Sequence, residues 1–237
     1  ATVIQLVVLL GGSVPMSLSA AAALKSDLTQ GGLFYGKVEL GQQVIFKGQT
    51  VRTSADGRFI LGFGRDDELT QTYMLVDKQG RTKTITLSLQ PRDYNIQKIK
   101  GVAKKYVDIS QAALQRIKLD NTKVNIARTK DTSLNDFFHG FSWPLTGPIT
   151  GVYGSQRFFN GQPRRPHFGV DIAAVVGTKV SSPADGQVSL AEGDLYFSGG
   201  TLIIDHGYGL SSSFLHLSKI LVKEGQKVKR GDIIAEV

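Results

Sequence analysis

The chain has 237 residues, 41% hydrophobic and 20% charged, the balance of a folded protein and enough length for two modest domains or one with a long connector. It contains no cysteine, which excludes disulfide frameworks, thiol nucleophiles and cysteine-type zinc sites, and with 4 histidines any metal chemistry rests on few side chains. The net charge of +8 is local: residues 96–130 carry 9 basic and 2 acidic side chains, whereas residues 136–237 carry 9 of each. The C-terminal region is thus neutral and shows no nucleic-acid-binding motif, so nucleic acid is not an expected partner.

Residues 1–24 carry no charged side chain. An apolar run at residues 3–10 is followed by Gly11, Gly12 and Pro15, then by the small-residue tract 19–23. This is the h-region and cleavage pattern of a secretory signal, read as partial because no basic n-region precedes it. The glycine pair and the proline interrupt it too early for a membrane span. The expectation is export to the periplasm or cell envelope, with no transmembrane span after signal cleavage.

Residues 32–95 read as short strands and turns. Val44 and Phe46 alternate, as do Ile85, Leu87 and Leu89, as expected of half-buried strands, and Asp56-Gly57 and Gln79-Gly80 mark turns. A small β-sandwich-like (Ig-like) accessory module is expected. Residues 96–135 form a basic connector in which 108–130 read as a helix, with Ser110 as N-cap and Leu114, Ile117 and Val124 on one face. Its basic character is that of a solvated helix face.

From residue 141 the texture changes to glycine-punctuated strands. Ala184-Asp185-Gly186, Gly199-Gly200 and Asp205-His206-Gly207 are read as turns, the last joining a hairpin of residues 201–204 and 210–215. The fold class is therefore mainly β, closing with an all-β domain at 141–237.

The chemistry sits in that domain. His167 and Asp171 are four residues apart, separated by Phe168, Gly169 and Val170. On a straight strand their backbones lie roughly 13 Å apart, too far to share one ion, so the chain is expected to bend at Gly169. An imidazole and a carboxylate brought together suit zinc. Alone, such a spacing also describes a surface histidine and a strand-end aspartate.

Four pieces in order widen the reading: HFGVDIAA at 167–174, PADGQV at 183–188, IDHGYG at 204–209 and FLHLSKILVKEGQKVKRGD at 214–232. Together they resemble the zinc metallopeptidases of the lysostaphin and LytM type, which cut peptide cross-links in bacterial cell walls. The resemblance implies Zn2+ as cofactor, His167 and Asp171 as two of three protein ligands, and His216 as a catalytic histidine beside the ion. The family's third ligand comes from a His-x-His pair in a later strand, which is expected beyond Val237, so the printed chain is expected to be impaired. His206 matches a structural turn position, and His139 a linker position. The implied function is an exported zinc endopeptidase acting on peptidoglycan. The alternative is a non-catalytic relative that binds the wall or activates another hydrolase. The pattern at 225–231 also resembles half of a biotinyl or lipoyl carrier, but no modifiable-lysine hairpin accompanies it.

Overall fold

The computed structural model describes residues 4–5, 26–100 and 110–237. Apart from Ile4–Gln5, a two-residue strand parallel to Leu210 and Ser211, the stretch read as a secretory signal lies outside the described residues. The fold is mainly β, with one α-helix among the described residues. No described helix is long and apolar enough to cross a membrane.

The N-terminal part has two small sheets sharing one core. Gln43–Phe46 lies between Gln49–Val51 and Thr70–Val76, which pairs with Thr82–Ser88, while Leu33–Lys37 pairs with Arg58–Gly62. Val44, Phe46, Leu87 and Leu89 are buried as their alternation requires. Phe59 and Tyr73 fill the middle with Phe34, in tilted and edge-to-face contacts 5.6–6.0 Å apart, and Phe63 stands edge-on to Phe46 at 6.1 Å. Gln79-Gly80 turns the chain between Thr70–Val76 and Thr82–Ser88, with Gly80 at φ +77°.

The C-terminal part is built on three long antiparallel strands. Gly199–Gly207 runs between Gly186–Leu195 and Leu210–Leu217, with Lys227–Val228 at one edge. A smaller sheet of Lys179–Ser181, Ile233–Glu236 and Lys219–Ile220 packs on it through Val180, Val188, Leu202, Ile204 and Ile234. The hairpin turn falls just beyond the residues the sequence suggests. Asp205, His206 and Gly207 continue the strand, and the loop is Tyr208-Gly209, at φ +57° and +72°. Two consecutive positive φ values make the two-residue turn whose twist matches paired strands.

The helix spans Gln111–Arg128, and the Ser110 side chain accepts from the Ala113 N–H at 3.2 Å. Its packed stripe differs from the expected one. Leu114 is 44% exposed; Ile117, Val124 and buried Ala127 face the sheet, where Ala127 and Val124 pack on Leu190, Leu195 and Ile203. Polar ties finish the seat: Asp120 accepts from the Tyr196 N–H at 2.8 Å, and Lys123 and Arg116 pair with Glu192 and Asp194. Arg116 and Lys123 thus lie against the C-terminal sheet.

The two β regions meet along a buried seam. Phe137 and Phe138 fill it with Ile60, Ala184 and Leu210, flanked by Leu33, Tyr35 and Tyr208. Ile96–Ile99 leaves the N-terminal region and pairs in parallel with Gln156–Phe159, making a three-stranded sheet with Gln162–Pro163. That sheet leads directly into His167.

Candidate metal centre

His167 and Asp171 come together. Nε2 of His167 lies 3.1 Å from Oδ1 of Asp171, and both side chains remain reachable, 34% and 59% exposed. The chain between them is irregular with a bend at Gly169, as the spacing demands. Glycine is not sterically required there, because a Cβ on Gly169 would stand 3.5 Å from His167 Nε2, an ordinary contact.

The requirement falls instead on the facing segment. Ile149–Gly151 pairs antiparallel with Asp171–Ile172, and Asp171 sits opposite Gly151. A Cβ on Gly151 would lie 2.1 Å from Asp171 Oδ2. Residues 152–155 then cradle His167. Its N–H donates to the Ser155 carbonyl at 2.8 Å, and its carbonyl accepts from the Gly154 N–H at 2.7 Å. Its ring Nδ1 faces the Val152 carbonyl at 3.2 Å. A nitrogen facing a carbonyl carries the proton, which in the neutral imidazole leaves the Nε2 lone pair toward the carboxylate oxygen. Two acceptors so close call for a cation or a proton between them.

The donor set fits zinc as far as it goes. Zinc takes imidazole nitrogen and carboxylate oxygen at about 2.0–2.2 Å, which sets neighbouring donors of a tetrahedron about 3.3 Å apart. The separation in this chain is 3.1 Å. Among the described residues no group of three or more His, Cys, Asp or Glu side chains is clustered to hold a metal ion.

His216 lies on the long strand Leu210–Leu217. Its strand carries an extra residue: Gly200 and Leu202 are opposite Leu217 and Phe214, so a bulge falls at Leu215 and His216. His216 has φ +59°, its N–H donates to the Ser198 carbonyl at 2.9 Å, and the residue is exposed. A bulge re-aims a side chain, and left-handed backbone at a non-glycine residue is a recurring mark of functional sites.

The other two histidines have different tasks. His206 is fully buried, with Nδ1 on the Asp185 carbonyl and Nε2 on the Ser212 hydroxyl, each at 2.7 Å, and its ring edge-on to Phe141. Burial holds its pKa below the ordinary value, against the opposing pull of the Asp185 carbonyl and nearby carboxylates. His139 is exposed and 3.4 Å from Asp136. Arg164 and Arg165 lie over Phe159 and Phe168, and Arg157 reaches Gln97.

The match to known proteins coincides with this geometry. The model of peptidase family M23 matches residues 165–237. This segment is where the chain resembles the M23 (LytM-type) peptidases. The chain is similar to the peptidoglycan DD-endopeptidase ShyA of Vibrio cholerae, 46% identical over 69 residues that make up 29% of this chain and 16% of ShyA. The chain is also similar to the murein hydrolase activator NlpD of Escherichia coli, 33% identical over 93 residues, 39% of this chain and 23% of NlpD. The chain therefore spans less than a quarter of either relative. A crystal structure assigned to peptidase M23 from Pseudomonas aeruginosa shares the fold over 88% of this chain and 82% of that one, with TM-score 0.64 and 23% identity.

The cradle at 151–155 is absent from the reading of the sequence. Its signal was the pair Gly151 and Gly154 around Val152 and Tyr153, two glycines three apart just before the candidate ligands.

Proposed function

We propose that the M23 segment is the zinc-binding part of an exported endopeptidase that hydrolyses peptide cross-links of peptidoglycan. His167 and Asp171 are its first two ligands, and His216 assists as the catalytic histidine. One observation carries the reading: an imidazole Nε2 and a carboxylate oxygen held 3.1 Å apart, with Nδ1 facing the Val152 carbonyl. The similarity to a DD-endopeptidase supports the substrate class.

A zinc ion, when bound, supplies Lewis acidity toward the scissile carbonyl and acidifies water. The chain's own residues do the rest. Val152 fixes the imidazole tautomer and plane, and the antiparallel seat on Gly151 aims the Asp171 carboxylate. His216, exposed on its bulge, is free to accept or return a proton.

A second reading has its own support. One relative is a murein hydrolase activator. In that reading the same fold binds the wall and stimulates another hydrolase. Digestion of cross-linked wall peptides with and without a chelator separates the two. Cleavage abolished by chelation and restored by zinc supports the peptidase. Cleavage that survives chelation removes metal hydrolysis, and stimulation of a separate wall hydrolase without intrinsic cleavage supports the activator.

A further inference from the structure

The cradle that holds His167 is itself held from its far side, by the N-terminal β region. Arg65 is buried, 8% exposed, and its Nε donates to the Gly154 carbonyl at 2.9 Å. Gly154 in turn donates its N–H to the His167 carbonyl at 2.7 Å. A single residue thus separates a buried cation from a candidate ligand 102 positions further along the chain.

The seat of Arg65 is closely defined. Its guanidinium lies 4.2 Å from the Tyr94 ring centroid, and the Tyr94 hydroxyl donates to the Arg65 carbonyl at 2.9 Å. The same Tyr94 ring rests on Gly154: at φ +81°, a Cβ there would lie 2.0 Å from Tyr94 Cδ1. Beyond Tyr94, Asn95 and Ile99 accept from the Gln156 and Asn160 N–H groups at 3.0 and 2.9 Å. A planar, permanently charged donor on a carbonyl makes a strong, directional bond, and a lysine ammonium does not reproduce its geometry.

We propose that Arg65 is a positioning residue for His167, acting through the Gly154 carbonyl, so that the N-terminal β region forms part of the metal centre. The inference rests on the reading of His167 as a metal ligand. Groups that orient a ligand from behind typically govern metal affinity by about 10–100-fold.

The test uses the full chain, titrated with Zn2+ by calorimetry at a temperature where circular dichroism shows each variant folded. Amide hydrogen exchange is followed at Gly154 and His167. Arg65→Ala is expected to weaken zinc binding at least about tenfold and to speed exchange at both amides relative to Ile234, with Arg65→Lys intermediate. Arg92→Ala is the control: Arg92 is another arginine of the N-terminal region, 6.0 Å from the Tyr153 ring and bonded to Thr29, and its hydrogen bonds go to Asp27, Thr29 and Gln30. It is expected to behave as wild type in both measurements. Wild-type affinity and exchange in Arg65→Ala, or losses no greater than those of Arg92→Ala, overturn the proposal. If Arg65→Ala does not fold, Arg65→Lys and Arg65→Gln carry the test, and wild-type behaviour of both overturns it. His167→Ala keeps the two ideas apart. If the wild-type chain binds zinc no better than His167→Ala, the metal reading fails, and with it the inference. If it binds better but Arg65 variants bind equally well, the inference fails alone.

Discussion

Asp171 stands directly opposite Gly151, with its Oδ2 where a side chain on that glycine would begin. The carboxylate is aimed at His167 because position 151 is empty beyond Cα. Gly151 is not among the positive-φ residues, so an alanine there meets a steric obstacle and no backbone strain. Gly151→Ala is therefore expected to push the Asp171 carboxylate off the His167 ring. Because Asp171 is largely exposed, it can swing into solvent, and stability should change by less than about 1 kcal/mol. Zinc binding should weaken at least about tenfold. Titration beside a thermal melt checks this, and unchanged affinity would show that the close approach is relieved without moving the ligand.

His206 gives the C-terminal region a pH dependence unrelated to any metal. Burial keeps its folded pKa below the ordinary 6.5. Below 6.5 the unfolded chain takes up a proton that the folded chain refuses, so stability is full above that value and falls as the pH drops from 6.5 toward the folded pKa. Urea midpoints at pH 7.5 and 5.5 measure it. Wild type should lose stability across that interval, and His206→Gln should show a smaller loss. A wild-type curve as flat as the variant's would contradict the assignment.

Phe137 ties the two β regions at their seam. It is fully buried, 4.4 Å from the Phe138 ring centroid and 5.6 Å from that of Tyr208, against Ile60 and Leu210. Phe137→Ala should cost about 3–5 kcal/mol, the range for emptying a large aromatic site. Denaturation followed by tyrosine fluorescence and by circular dichroism would register it as a lower midpoint in both signals. A loss below about 1 kcal/mol would mean the seam closes over the gap.

Leu114 shows why the helix was only half legible. Apolar spacing marked a helix and Ser110 marked its start, because capping and periodicity are local. Which stripe faces the sheet was not local: Val124 and Ala127 are chosen by Leu190, Leu195 and Ile203, and Asp120 by the Tyr196 N–H. The hairpin at 199–217 was legible for the same reason, and its turn shifted because Tyr208 adopts a left-handed conformation that propensity disfavours. The bulge at Leu215 and His216 left no mark in the sequence, since it depends on the register of the partner strand.

By itself the sequence determined the donor types, their spacing, the mainly β fold and the likeness of residues 167–232 to wall peptidases. These follow from short-range pattern, where residue type and neighbour order suffice. Only the tertiary structure decided that the His167 ring and the Asp171 carboxylate meet, that Gly151 and not Gly169 is the position that must stay bare, and that Arg65 braces the cradle from the other region. Those outcomes depend on hydrogen bonds and exclusions between segments up to about a hundred residues apart, whose pairing is settled by the packing of whole sheets and not by any local signal.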